Sequence, residues 1–318
     1  MNINKKILVT GCAGFIGSHL CEKLLKEGYK IYGIDNINDY YNKNQKHNNL
    51  KILEEYNNFI FKKDDIVTTN IINDIKPNIV VNIAAMAGVR YSIKNPNIYM
   101  RVNIEGQINL LKQSVDNDVK LFVYASSSSV YGLNKKVPFS ESDEIKTFNS
   151  PYAASKRSGE LMAQLYNQLY GLKTIGLRFF TVYGPRGRPD MAPFKFLSKI
   201  SKGEKIDKYG NGESYRDYTY IDDIVSGIYN AIQNKKNKTC EIYNLGNTKT
   251  ISLNEFIKTC EEVTGKKAIF NKLPDQKGDV PFTYSDITKA KKDLDYDPKI
   301  NFKDGLKKMY IWLKNNNK

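Results

Sequence analysis

Short apolar runs and stretches of helical periodicity alternate along the first half of the chain. Six apolar runs predict buried strands, and they are KILVT (6–10), KIYGID (30–35), FIF (59–61), NIVVNIAA (78–85), KLFVYAS (120–126) and KTIGLRFF (173–180). The segments between them carry apolar rows at helical spacing, such as Phe15, Leu20 and Leu24, then Ile104, Ile108 and Leu111, then Leu161, Leu165 and Leu169. We predict a doubly wound parallel α/β sheet with helices on both faces, and we expect the helical rows to face its core.

This rhythm changes after residue 180. Gly- and Pro-rich stretches then separate short elements, and they are YGPRGRPDMAP (183–193), YGNGESY (209–215) and LPDQKGDVPF (273–282). We therefore predict two domains. The α/β domain covers residues 1–180, and residues 219–246 return to it. A smaller, irregular C-terminal domain covers residues 181–218 and 247–318.

Composition favours a globular protein of the cytoplasm. The chain has 318 residues, of which 41% are hydrophobic, without a run of eighteen apolar residues. Its N-terminal residues lead into the first strand without the apolar core of a signal peptide. Four cysteines and two histidines show no metal-ligand spacing, so we expect reduced packing cysteines and no metal site.

The formal charge of +15 could attract nucleic acid, a membrane surface or a small anion. The lysines, however, are scattered singly or in pairs and form no block of five. We interpret them as a solvated surface and expect neither nucleic acid nor membrane as a partner. The Asn-rich stretch NDYYNKNQKHNN, residues 38–49, is interpreted as a mobile surface loop.

The stretch TGCAGFIG, residues 10–17, indicates a Rossmann-type dinucleotide site. Gly11 permits a tight turn after the first strand, Gly14 lets the backbone approach a pyrophosphate, and Gly17 lets helix and strand pack closely. The second strand ends in Asp35, eighteen residues after Gly17, where a carboxylate can bind the ribose hydroxyls and repel a phosphate. The sequence therefore predicts NAD rather than NADP. The remaining residues predicted for this end of the site are Phe15, Ile16, Asn36, Asp65 and Ile66, although an Asp after a strand, such as Asp65, is equally often a turn residue.

The stretch SPYAASK, residues 150–156, offers a catalytic base. In a helix Tyr152 and Lys156 share one face, so an ammonium group, a hydroxyl donor and a positively charged nicotinamide would all favour the phenolate. Ser127, in SSSSVYG (126–132), is the chosen donor because it ends a strand where open α/β sheets place their chemistry. Alternatively, the Tyr-x-x-x-Lys spacing arises by chance and the serines only cap a turn.

These motifs, with RFFTVYGP and RDYTYIDDI, resemble the extended short-chain dehydrogenase/reductase family of nucleotide-sugar epimerases and dehydratases across essentially the whole chain. Three further stretches are similar to UDP-glucuronate 4-epimerases, namely AAMAGVRYSIKNP (84–96), GPRGRPDMAPF (184–194) and GDVPFTYSD (278–286). The resemblance implies NAD as cofactor, a UDP-sugar as substrate, and Ser127, Tyr152 and Lys156 as the catalytic triad. A homodimer is expected if helices such as the one carrying Leu165 expose a second apolar face.

The resemblance also assigns binding residues. Ala84, Ala85, Asn103, Tyr124 and Phe180 would line the NAD, and Ser128 and Ser129 would face the sugar. The residues around the UDP would be Thr181, Lys195, Arg216 and Asp279, with Arg216 on the diphosphate. Alternatively, Arg216 forms a surface salt bridge with a neighbouring aspartate.

Two positions decide the expected reaction. Dehydratases and decarboxylases of this family carry an acid at the positions of Ser128 or Ser129, so the two serines favour 4-epimerisation. Arg188 is predicted to grip the carboxylate of a uronic acid, although it could instead contact phosphate or solvent. The expected activity is NAD-dependent epimerisation of UDP-glucuronate to UDP-galacturonate. The alternatives are a UDP-glucose or UDP-N-acetylglucosamine 4-epimerase and a catalytically silent NAD-binding scaffold.

Overall fold

Seven parallel strands form the central sheet of the structure, a computed structural model that describes residues 5–274 and 282–316. In sheet order the strands are β10 (Cys240–Leu245), β6 (Thr174–Phe179), β5 (Leu121–Ser127), β4 (Ile79–Asn82), β1 (Lys6–Thr10), β2 (Lys30–Asp35) and β3 (Phe59–Lys63). Each neighbouring pair is parallel. The predicted doubly wound sheet is therefore confirmed.

Helices connect and cover these strands. Their bounds are α1 (Phe15–Lys26), α2 (Lys43–Glu54), α3 (Ile71–Ile75), α4 (Val89–Lys94), α5 (Pro96–Tyr99), α6 (Gly106–Asp116), α7 (Pro151–Tyr170), α8 (Ala192–Lys202), α9 (Ile221–Gln233), α10 (Leu253–Thr264), α11 (Thr288–Leu294) and α12 (Phe302–Asn316). A π-helical segment, Met100–Glu105, leads into α6. In the ranges 5–274 and 282–316, no helix has the length and apolarity needed to cross a bilayer.

The sheet is buried on both faces because successive strand residues point in opposite directions. In β1, Ile7 and Val9 join the apolar cluster that contains α1 and α9, whereas Leu8 joins the cluster that contains α6. In β4, Val81 and Val80 divide between the same two clusters. This two-sided burial explains why the strands read as continuous apolar runs in the sequence.

The remaining strands form two small sheets beyond residue 180. They are β7 (Thr181–Tyr183), β9 (Tyr215–Tyr220) and β11 (Thr250–Ser252) in one sheet, and β8 (Lys205–Tyr209) and β12 (Ile269–Leu273) in the other. The ring of Phe302 from α12 lies 5.0 Å from Tyr218 and 5.6 Å from Phe256, so aromatic packing joins α10 and α12 to the first of these sheets. The proposed division of the chain into two domains stays a prediction.

One expected core row is wrong. Leu161, Leu165 and Leu169 of α7 are 49%, 39% and 61% exposed, respectively. The face of α7 that lies against the sheet instead carries small and polar residues, including Ala153, Lys156, Gly159, Glu160 and Ala163. Helical periodicity identified an apolar face but not the direction in which it points. The face that packs against the sheet carries a polar network, so the leucines lie on the exposed face.

That network centres on a buried ion pair. Glu160 accepts hydrogen bonds from Nε and Nη2 of Arg178 in β6, both at 2.8 Å, and one of 2.6 Å from Ser126. The side chains of Glu160 and Arg178 are 0% and 2% exposed. Glu160 also accepts a hydrogen bond of 2.8 Å from Arg157, whereas the buried Arg178 charge depends on Glu160 for its compensation.

We expect Glu160→Ala to lower the free energy of unfolding by ~3 kcal/mol, because it leaves the buried Arg178 guanidinium uncompensated. Asp116→Ala is the matched control, since it removes only an exposed pair with Lys112 on α6. Urea unfolding of both variants checks the difference. Equal shifts of the two midpoints would show that the buried pair contributes no more than a surface pair.

Candidate active site

A cavity of about 690 Å³ lies along the carboxyl ends of the central strands. Segments that follow β1, β2, β3, β4, β5 and β6 all line it. This edge is where open α/β sheets bind their ligands, because the strand ends and helix N-termini converge there. Residues from α8 and β9 close the other side. The cavity therefore lies between the central sheet and the elements beyond residue 180.

The glycine motif forms one wall of this cavity. Gly11 has a φ of +70°, and a Cβ on Gly17 would lie 2.1 Å from the Gly11 carbonyl oxygen. Neither position therefore accepts a larger residue without displacing the turn. Gly14, Phe15 and Ile16 also line the cavity, at the N-terminus of α1. The backbone is consequently shaped for close approach of a pyrophosphate.

The adenosine end is built from the tips of β2 and β3. Asp35 is 8% exposed and accepts a hydrogen bond of 2.8 Å from the Ile37 N–H. Asn36 donates to Asp65 at 3.0 Å, and Asp65 also accepts from the Val67 N–H at 2.9 Å. Both Asp65 and the adjacent Ile66 line the cavity, so Asp65 acts as a turn residue and faces the site at the same time.

Of the other predicted cofactor residues, Ala84, Ala85 and Phe180 line the cavity. Asn103 acts behind it, because its side chain exchanges hydrogen bonds with the backbone N–H and C=O of Met86 at 2.8 and 2.9 Å. The Tyr124 ring lies in the core beside Phe122, and its hydroxyl faces Gly176. The side chains of Asn103 and Tyr124 therefore do not line the cavity, unlike Ala84, Ala85 and Phe180.

The three predicted catalytic residues all line the cavity. Ser127 ends β5, and its hydroxyl oxygen accepts the Ser129 N–H at 3.1 Å, which leaves its own proton for the Tyr152 phenol. Ser150 caps α7 by accepting the Ala153 N–H at 3.2 Å and so fixes Tyr152 in the first turn. One turn later, Lys156 donates a hydrogen bond of 2.8 Å to the Ala125 carbonyl.

Burial sets the charge states of this group. It raises the pKa of Tyr152, while the Ser127 hydroxyl and the Arg188 guanidinium oppose the rise. It lowers the pKa of Lys156 to about 8, against the favourable field of Glu160. The sequence predicted that the Lys156 ammonium would favour the phenolate. In the structure without ligands, the groups that do so are Ser127 and Arg188.

We expect the buried Lys156 to give stability a distinct pH dependence. Its folded pKa of about 8 lies below the unfolded value of about 10.4, so between these values the unfolded chain binds more protons. The contribution of Lys156 therefore becomes more favourable as pH rises from about 8 to 10.4 and is constant below that window. Urea unfolding of wild type and Lys156→Met from pH 7 to 10 checks this, because other groups cancel in the difference. A difference that does not change with pH would contradict it.

Most of the predicted substrate residues also line the cavity. Ser128, Ser129, Thr181, Lys195 and Arg216 all line it, whereas Asp279 lies outside the described residues. Of the two aspartates proposed as alternative partners for Arg216, Asp217 accepts hydrogen bonds from Thr219, Asn247 and Ser285. Arg216 itself donates from Nη1 to the Tyr215 carbonyl at 2.9 Å, and its role towards a diphosphate stays a prediction.

Arg188 lines the same cavity as Tyr152, and its charge opposes the rise in the pKa of that phenol. Its Nε and Nη2 atoms donate to the two Asp190 oxygens at 3.0 and 2.6 Å, and Nη2 also lies 3.3 Å from the Tyr40 hydroxyl and from the Ala87 carbonyl. The guanidinium stacks over the Tyr40 ring, 5.2 Å from its centre. Asp190 therefore holds one edge of the fork, and the Nη1 edge is the one left for a ligand.

The loop that carries Arg188 is attached to the cofactor half of the site. Gln45 of α2 donates to the carbonyls of Arg186 and Gly187 at 2.7 and 3.0 Å. Arg186, at a φ of +59°, reaches Glu22 of α1 at 2.6 Å. These contacts fix the backbone immediately before Arg188.

Sequence reasoning missed several cavity residues, and one interpretation was wrong. The Asn-rich stretch 38–49 is not a mobile surface loop, because α2 begins at Lys43 and Asn49 is only 2% exposed. Asn49 donates to the Ala13 carbonyl at 2.9 Å, so its amide supports the glycine loop. Further lining residues that were missed are Tyr40, Tyr41, Lys46, Arg90 and Asp190. Arg90 and Asp190 lie within motifs quoted for the family resemblance, and those motifs were the available signal.

Comparison with known proteins gives the family. The model for GDP-mannose 4,6 dehydratase matches residues 8–309. UDP-glucuronate 4-epimerase from Thermodesulfobacterium geofontis is 44% identical, over 97% of this chain and 96% of its own. UDP-glucuronic acid 4-epimerase from Bacillus cereus, solved with UDP-glucuronic acid and NAD, is 37% identical with a TM-score of 0.93, over 98% of this chain and 99% of its own. UDP-glucose 4-epimerase from Thermotoga maritima, solved with UDP-glucose, is 33% identical with a TM-score of 0.89, over 98% of this chain and 100% of its own. The chain belongs to the GDP-mannose 4,6 dehydratase family, within the extended short-chain dehydrogenase/reductases that its motifs resemble.

Proposed function

We propose that this protein is an NAD-dependent UDP-sugar 4-epimerase that converts UDP-glucuronate to UDP-galacturonate. The observation that carries the proposal is the placement of Arg188 in the same cavity as Tyr152, close enough for its charge to lower the pKa of the phenol. A catalytic phenol and a carboxylate-binding fork then act on one sugar ring. The similarity to proteins named UDP-glucuronate 4-epimerases supports the same substrate.

The cavity residues fit NAD. The glycine turn leaves no room for a Cβ and so keeps the backbone open to a pyrophosphate, while Asp35 offers a carboxylate to the adenosine ribose. Ala84, Ala85 and Phe180 would hold the rest of the dinucleotide. When bound, NAD takes up a hydride from C4 of the sugar and returns it, and its positive charge favours the ionised form of Tyr152.

The protein's own groups handle the proton at C4. Ionised Tyr152 accepts the proton of the C4 hydroxyl as the carbonyl forms, and it gives the proton back when the ring has turned. The Ser127 hydroxyl lies beside the phenol and stabilises its negative charge. Lys156 is anchored on the Ala125 carbonyl one helical turn after Tyr152, and an ammonium group drawn towards the phenol would favour its ionised form.

The rest of the cavity favours epimerisation over elimination. Ser128 and Ser129 line the cavity, and neither side chain carries an acidic group that could move a proton at C5. Decarboxylation of the 4-keto uronate requires its carboxylate to turn out of the plane of the ketone. A grip from Arg188 and the serine hydroxyls would prevent that rotation.

Incubation with UDP-glucuronate, UDP-glucose and UDP-N-acetylglucosamine, each analysed by NMR, tests the proposal. We expect UDP-galacturonate from the first, with much slower turnover of the other two. Preference for UDP-glucose would favour the alternative that the Thermotoga maritima relative supports. Absence of turnover on all three would favour the silent scaffold, and accumulation of a UDP-pentose would indicate decarboxylation.

We also propose a homodimer formed through α7. Leu161, Leu165, Leu169 and Tyr170 expose a continuous apolar row that covers more than two turns of the helix. A second copy could cover this face symmetrically.

The four cysteines are free thiols, which suits a reducing compartment, and we propose the cytoplasm.

We expect Leu165→Asp to convert the dimer to a monomer, because it places a charge in the middle of the apolar row. Light scattering after gel filtration gives the mass directly. Ile311→Asp is the control, since Ile311 is 55% exposed and lies on a different helix, α12. A wild-type protein that is monomeric at micromolar concentration would contradict the proposal.

A further inference from the structure

A buried lysine lies at the adenosine end of the cavity, in the stretch that the sequence suggested was a surface loop. Lys46 of α2 is 4% exposed and lines the cavity. Its ammonium group lies 3.7 Å from the Asp35 carboxylate and donates to Asn38 at 2.9 Å. It also lies 5.1 Å from the centre of the Tyr41 ring. Three groups therefore hold one cation beside the residue that receives the ribose.

We infer that Lys46 is a latent ligand for a 2′-phosphate, and that the Asp35 carboxylate keeps its charge neutralised. Asp35 alone repels a 2′-phosphate in any protein of this fold. The additional feature of this pocket is a buried cation, Lys46, beside that carboxylate. The inference rests on the cofactor and not on which sugar is epimerised.

The charge balance explains why loss of the Asp35 carboxylate would let Lys46 bind a phosphate. Burial lowers the pKa of Lys46, and the Asp35 carboxylate is the largest influence in the opposite direction. Removing Asp35 would leave a desolvated ammonium without its counter-charge, which is an unfavourable state. A 2′-phosphate would supply two negative charges at the same place and so restore the balance.

A second cation near Asp35 provides a matched comparison. Lys63 stands opposite Asp35 in the register of β2 and β3, but it is exposed. A solvated lysine gains little from a phosphate compared with a buried one. If Lys46 is the latent ligand, its removal must abolish any gain in NADP binding, whereas removal of Lys63 must leave most of that gain intact.

The test uses wild type, Asp35→Ser and the double variants Asp35→Ser/Lys46→Met and Asp35→Ser/Lys63→Met. Each protein is incubated with equimolar NAD and NADP and freed of unbound nucleotide by gel filtration. The bound dinucleotides are then released and quantified by chromatography. This readout is independent of turnover, and Asp35→Asn replaces Asp35→Ser if thermal unfolding shows that the serine variant does not fold.

Wild type is expected to retain NAD. Asp35→Ser should raise the ratio of bound NADP to NAD by roughly 10- to 100-fold, the range of one charge-assisted contact. Asp35→Ser/Lys46→Met should return the ratio to near the wild-type value, and the Lys63 double variant should resemble Asp35→Ser. Equal NADP retention in Asp35→Ser with and without Lys46 would overturn the inference, as would no gain in Asp35→Ser.

Discussion

Tyr152→Phe is expected to lower kcat for UDP-glucuronate by about 1,000-fold, the typical contribution of a positioned general base. The substitution removes the oxygen that takes the C4 proton but keeps the ring and its contact with Tyr99, 5.9 Å away. KM and the amount of bound NAD should therefore change little. Initial rates and the extracted cofactor, measured on the same preparation, check both expectations.

Tyr99→Phe is the matched control for this loss. The Tyr99 hydroxyl donates to the carbonyls of Ala87 and Gly88, at 3.2 and 2.9 Å, and its removal affects support of the loop and not the proton at C4. We expect thermal stability to fall and kcat to change far less than in Tyr152→Phe. Comparable kcat values for the two phenylalanine variants would refute the role of Tyr152 as the base.

Arg188→Ala is expected to reduce kcat/KM for UDP-glucuronate at least about 100-fold more than for UDP-glucose, which corresponds to one buried charge-assisted contact. The reason is that only the uronate has a carboxylate for the guanidinium to bind. A loss of the same size on both sugars would show that Arg188 supports the cavity in general. The comparison needs kcat/KM for the two UDP-sugars with wild type and variant.

Two further variants separate charge from geometry at this position. Arg188→Lys keeps the charge without the planar fork, so we expect it to recover only part of the preference for uronate. Asp190→Asn keeps the shape of the partner but weakens its grip on Nε and Nη2. It should alter KM for UDP-glucuronate more than for UDP-glucose, because Asp190 positions the Arg188 guanidinium that would bind the carboxylate of the uronate.

Local signals in the sequence predicted the features that depend on backbone conformation or on neighbours one turn apart. Gly11 and Gly17 are demanded by a turn that a Cβ would break, and strands β1 and β4 are apolar because both of their faces are covered. Tyr152 and Lys156 share a face because they are four residues apart on a helix. Each of these relations is contained within a short stretch of chain.

Features that depend on tertiary contacts were not predictable in this way. Lys46 is buried against Asp35 and Tyr41, which precede α2. Its neighbours in the sequence are polar residues, a composition that is typical of a surface loop. The leucine row of α7 faces outward because Glu160 on the opposite face meets Arg178 in β6. In both cases the partner that determines burial lies on another element. Composition therefore predicted an exposed loop around Lys46, periodicity predicted a buried leucine row, and both predictions were wrong.

The most direct test of the central claim follows a deuterium label at C4 of UDP-glucuronate. Oxidation at C4 and return of the same hydride to either face predict that, in ordinary water, UDP-glucuronate and UDP-galacturonate both retain deuterium at C4 when they reach equilibrium. NMR of the two epimers measures that retention. Loss of the label to solvent during epimerisation would contradict hydride return and with it the mechanism proposed for Tyr152.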